Sequence, residues 1–116
     1  MGQLTTHILD TVRGQPAVNV SLRLYRLGGE KHQLAQRFTN QDGRCDQPLL
    51  AGSDFVCGQY EIVFYVGDYF RCLGLQLPEP AFLDDIVLRF GIADVTQDYH
   101  VPLLVSPWSY TTYRGN

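Results

Sequence analysis

A chain of 116 residues with 45% hydrophobic content has material for one core and too little for two, so residues 1–116 are expected to form a single domain. A net charge of −3 and scattered Lys and Arg leave no basic patch for phosphates, which sets nucleic acid aside as an expected partner. No apolar run nears the roughly 18 residues that cross a bilayer, and Met1-Gly2-Gln3-Leu4 lacks the basic and apolar regions of a secretory leader, so neither membrane nor export is expected.

In chain order, Leu4–Thr11 reads as a strand with His7 at its centre. Arg13-Gly14-Gln15-Pro16 is a turn signal that makes Leu4–Thr11 and Ala17–Leu27 expected neighbours. Ala17–Leu27 alternates, with Val18, Val20, Leu22 and Leu24 on one face and Asn19, Ser21 and Arg23 on the other. Gly28-Gly29 turns the chain into a strand over Gln33–Thr39, and Asn40-Gln41-Asp42-Gly43 turns it again. Tyr60–Val66 is rich in β-branched and aromatic residues and reads as a strand. Asp68–Leu73 suits one short helix ended by Gly74. Phe82–Ile92, Tyr99–Val105 and Tyr110–Tyr113 complete the set. Seven or eight short strands punctuated by Gly, Pro and Asx predict an all-β, antiparallel β-sandwich.

Chemistry candidates are few. His7 shares a strand face with Thr5 and Leu9, and His100 shares one with Pro102, Leu104 and Ser106. A lone strand histidine is most often half-buried with one satisfied nitrogen, and that bland reading stands beside a catalytic one for both. His32, after a glycine pair, reads as solvated. Arg44 leaves the Asp42-Gly43 turn unencumbered, either simply exposed or free to bind an anion opposite a histidine pair. Cys45, Cys57 and Cys72 are an odd set without metal-ligand spacing and read as reduced thiols in a cytoplasm. HxH, HExxH and CxxC are all missing, so no metal site is expected. A nucleophile elbow and a phosphate loop are missing too.

Four motifs taken together go further. Leu4-Thr5-Thr6-His7-Ile8-Leu9-Asp10-Thr11 with Gly14-x-Pro16-Ala17, Thr39-Asn40-x-Asp42-Gly43-Arg44, Tyr99-His100-Val101-Pro102-Leu103-Leu104-x-Ser106-Pro107 and the tail Tyr113-Arg114-Gly115 occur in order along nearly the whole chain. In this the chain resembles the 5-hydroxyisourate hydrolases, transthyretin-like enzymes of urate breakdown. The resemblance implies a transthyretin-type sandwich of seven to eight strands with one short helix. It also implies a homotetramer whose subunit pairs face each other across a channel.

The resemblance puts the catalytic trio on His7, Arg44 and His100 and the family's C-terminal tetrapeptide on Tyr113, Arg114, Gly115 and Asn116. The family's usual terminal serine is replaced by Asn116. With alternating faces, Leu104 and Thr111 would join Tyr113 on the wall that carries both histidines. The implied activity is cofactor-free hydrolysis of 5-hydroxyisourate to 2-oxo-4-hydroxy-4-carboxy-5-ureidoimidazoline. Which histidine acts as base stays open. The alternatives are a transthyretin-like carrier of a small apolar ligand without turnover, and an immunoglobulin-like interaction module with histidines placed at random.

Overall fold

The computed structural model describes residues 2–115. Strand β1 (Leu4–Asp10) buries Leu4, Thr6, Ile8 and Asp10 and leaves Thr5, His7 and Leu9 half-buried on the opposite face, as its period of two requires. Next come β2 (Gln15–Pro16), β3 (Ser21–Arg26) and β4 (His32–Phe38). A 3₁₀ turn over Gly52–Asp54 precedes β5 (Gly58–Tyr65), and helix α1 (Val66–Cys72) follows it directly. Strands β6 (Asp85–Ile92), β7 (Tyr99–Val105) and β8 (Tyr110–Thr112) end the order.

These strands form two four-stranded sheets, β2-β1-β7-β8 and β4-β3-β5-β6. The predicted β-sandwich with one short helix is therefore the fold. Leu4, Ile8 and Leu103 from the first sheet meet Leu22, Ile62 and Phe64 from the second, all fully buried. Truncating one of these to alanine should cost about 2–5 kcal/mol.

Three local expectations are corrected. Leu4–Thr11 does not neighbour the whole of Ala17–Leu27: β1 pairs with Gln15–Pro16, whereas β3 lies in the other sheet. Between them the chain crosses from sheet to sheet, and Asn19 takes a left-handed φ of 63° in the crossing, which breaks the alternating run. The sandwich is antiparallel at every strand pairing but one: β1 and β7 run parallel. A parallel pair needs a long connection, and here that connection includes β2, the entire second sheet and α1. The predicted strand over Phe82–Ile92 also shortens, since Phe82 is 70% exposed and β6 starts only at Asp85.

The helix begins two residues earlier than predicted and ends one residue earlier, at Cys72, with Gly74 closing it as expected. Gly74 adopts φ 89° and donates to the Arg71 carbonyl at 2.9 Å, while the Leu75 amide donates to that of Phe70 at 3.2 Å. This paired closure satisfies the last carbonyls, and only glycine takes that φ without cost. No helix among the described residues is long and apolar enough to cross a membrane.

Candidate active site

The parallel ladder sets the geometry. Its register places Thr5 beside His100, His7 beside Pro102 and Leu9 beside Leu104. In-register neighbours point to the same face, so both histidines project from the outer side of the first sheet. The buried faces of β1 and β7 leave them no other direction.

Arg44 reaches this face through the turn before it. The Asn40 side-chain oxygen accepts from the Asp42 amide at 2.9 Å and the Arg44 amide at 3.2 Å. Gly43 closes the turn at φ 75°. A side chain there would be strained, and its Cβ would lie 2.5 Å from the Ile8 carbonyl oxygen and 3.3 Å from His7 Cδ2. The Ile8 amide donates to the Gly43 carbonyl at 2.8 Å, and His7 and Arg44 form an antiparallel bridge. Further along, the Leu4 amide donates to the Leu50 carbonyl at 2.9 Å. The segment from 43 to 50 thus docks on the edge of β1 that β7 leaves open.

The tail arrives from the other side. The Gly115 amide donates to the His100 carbonyl at 2.7 Å, and a Cβ on Gly115 would sit 3.1 Å from His100 Cδ2. Glycine lets the backbone lie against the imidazole. Arg114 points elsewhere. Its guanidinium donates to the Gln97 side-chain oxygen at 2.9 Å and the Asp98 carbonyl at 3.1 Å, and lies 4.2 Å from the Tyr99 ring centre.

Electrostatics favour neutral imidazoles. Burial lowers the pKa of His7 below the usual 6.5, and the Arg44 charge adds to it, while the Asp42 carbonyl and carboxylate act the other way. Burial also lowers His100, followed by Arg44 and then His7. One cation therefore acts on both rings. Among the described residues the Arg44 guanidinium has no carboxylate partner. A cleft of about 390 Å³ opens here, lined by Gln3, Thr5, Thr6, Arg44, Cys45, Gln47 and His100. His7 adjoins it through its bridge to Arg44. That volume suits a small molecule.

The structure thus brings together His7, Arg44 and His100, with Gly115 against His100. Leu104 is half-buried and Thr111 exposed, paired with each other further along the same face. Tyr113 and Arg114 instead border a separate apolar hollow of about 270 Å³ with Leu88 and Phe90 of β6, because the chain leaves the ladder after Thr112. The expected placement of Tyr113 on the histidine wall is corrected accordingly. Asn116 lies outside the described residues. Among those residues no group of His, Cys, Asp or Glu is placed to hold a metal ion.

Sequence reasoning passed over Thr5, Gln3, Cys45 and Gln47. Thr5 Oγ1 lies 2.8 Å from His100 Nδ1, a contact that face alternation hinted at and that only the parallel register completes.

Comparison with known proteins agrees with the fold. The sequence model of the HIUase/Transthyretin family matches residues 4–115. The 5-hydroxyisourate hydrolase of Pseudomonas aeruginosa is 58% identical, over 100% of this chain and 93% of that protein. The structure of Klebsiella pneumoniae 5-hydroxyisourate hydrolase superposes with a TM-score of 0.84 at 31% identity, covering 100% of both chains. The crystal structure of an (S)-allantoin synthase superposes with a TM-score of 0.94 at 46% identity, covering 99% of this chain but 44% of that longer one.

Proposed function

Since this chain belongs to the HIUase/Transthyretin family, we propose that it is a 5-hydroxyisourate hydrolase acting as one domain over its 116 residues. It opens the six-membered ring at the amide-like N1–C6 bond and yields 2-oxo-4-hydroxy-4-carboxy-5-ureidoimidazoline, a step of urate breakdown. The observation that carries the reading is a pair of imidazoles on one sheet face, both biased toward the neutral form by burial and by the same arginine. A neutral imidazole can take a proton from water at neutral pH, a contribution of roughly 10²–10⁴-fold. The water oxygen then bonds to the ring carbonyl carbon, and the second imidazole assists at the carbonyl or the leaving nitrogen. Arg44 holds the substrate's oxygens and stabilises the charge that develops on them. The carbonyl carbon–nitrogen bond breaks with its electron pair going to nitrogen, which is protonated.

The working unit in this proposal is a homotetramer. The half-buried Leu9 and Leu104 beside the site and the exposed Tyr113 favour burial against a second copy. Cys45, Cys57 and Cys72 stand as free thiols, which suits a reducing cytoplasm.

The experiment is direct. The ultraviolet absorbance of freshly generated 5-hydroxyisourate is followed with and without the protein, which should accelerate its loss catalytically at substoichiometric concentration. Binding without acceleration would mark a carrier and end the hydrolase reading.

A further inference from the structure

We propose that Thr5 is a positioning residue that fixes the tautomer of His100: its hydroxyl donates to Nδ1, so the neutral ring carries its proton on Nε2. The proposal deepens the hydrolase reading and takes its chemical consequence from it. The contact is short, 2.8 Å between Thr5 Oγ1 and His100 Nδ1. It is set by the ladder, in which Thr5 and His100 are direct partners.

Direction follows from where the hydroxyl's one hydrogen can go. The other threonines of this sheet give theirs to backbone carbonyls: Thr6 to Val101 at 2.7 Å, Thr11 to Val105 at 3.1 Å and Thr112 to Pro102 at 2.8 Å. Among the described residues Thr5 Oγ1 has one acceptor within reach, and that is Nδ1. The reverse arrangement, with Nδ1–H donating, would leave the hydroxyl hydrogen without a protein acceptor in a half-buried place. A neutral imidazole has one donor nitrogen and one acceptor nitrogen. An Nδ1 that accepts therefore means an Nε2 that donates.

The two histidines then divide the work. His100, tied at Nδ1 and lining the cleft, offers an Nε2–H to the carbonyl oxygen of the ring amide, beside Arg44. It stabilises the oxyanion and keeps its own proton, since a neutral imidazole that gave it up would become an anion. His7 is left as the base. It takes a proton from the attacking water, becomes imidazolium, and returns that proton to the leaving nitrogen as the carbon–nitrogen bond breaks. Every proton is accounted for with no further reactant.

The test is a two-bond ¹H–¹⁵N correlation spectrum of the ¹⁵N-histidine-labelled protein, without substrate, at neutral pH. This distinguishes a protonated ring nitrogen from a bare one. The expected result is His100 with Nε2 protonated and Nδ1 bare. In Thr5→Val, which keeps the shape and removes the donor, the tautomers should mix and kcat should fall about 10-fold or more with little change in KM. Thr5→Ser should restore both. A His100 protonated on Nδ1 in the unmodified protein overturns the proposal. So does a Thr5→Val protein that keeps both the tautomer and kcat. The spectrum decides the tautomer whether or not 5-hydroxyisourate is turned over, so this proposal and the hydrolase reading fail by separate results.

Discussion

An imidazole that must take a proton from water works only while it is neutral. His7 and His100 both stay neutral to lower pH than a free histidine, chiefly through burial and then through Arg44. The acid limb of kcat/KM should therefore be centred below the reference value of about 6.5, and a limb centred at or above it would contradict the site's electrostatics. The same depression acts on stability. The unfolded chain takes up protons first, so the histidines' contribution is intact above about 6.5 and is lost as pH falls from there through their folded values. Alanine at His7, Arg44 or His100 should each lower turnover by about 10² or more, with the circular dichroism spectrum unchanged because none of the three is fully buried. A His100→Ala protein with near-normal turnover would remove it from the mechanism.

Strands and turns hold these side chains in place, and here the sequence was legible to different depths. Alternation in Leu4–Asp10 and Tyr99–Val105 was enough to show which residues share a face, because a period of two is a local property. Partnership was not, since nothing local marks β1 and β7 as parallel or seats residues 43–50 on the remaining edge of β1. The resemblance supplied Arg44; the Asn40 to Gly43 turn explains how it gets there. The contacts of Arg114 with Gln97, Asp98 and Tyr99 were illegible for the same reason, because they depend on how the tail meets the start of β7. Arg114→Ala should loosen Gly115 from His100 and lower kcat about 10-fold, whereas deletion of the last four residues should remove most activity; steady-state rates of the two variants check this. The turn after β1 carries a second dependence. Buried Asp10 accepts from the Tyr69 hydroxyl at 2.8 Å, from Arg13 Nε at 3.1 Å and from the Val12 amide at 2.9 Å. Tyr69→Phe leaves that carboxylate one donor short and should cost about 1–3 kcal/mol in urea unfolding, with little effect on turnover per folded molecule.

At the scale of the whole molecule, β6 and β8 are the outer strands of their sheets on one side of the sandwich, and the apolar hollow lies between them. Unpaired strand edges and exposed aromatic groups such as Tyr113, at 58% exposure, invite association. Light scattering on active protein should return four times the 13.1 kDa of one chain, and a monomer mass would refute the homotetramer.

The parallel pairing also has a consequence in time. Thr5 and His100 are 95 positions apart. At a synthesis rate of about 5–20 residues per second, the first strand leaves the ribosome roughly 5–20 seconds before the strand it must lie beside. Through that interval one of its edges waits bare, while residues 15–16 and 43–50 can already shelter the other. Docking β7 closes the longest loop in the fold, the kind of step that makes folding slow. A nascent chain that stops short of residue 100 can hold most of a sandwich and still lack the face on which the two imidazoles meet.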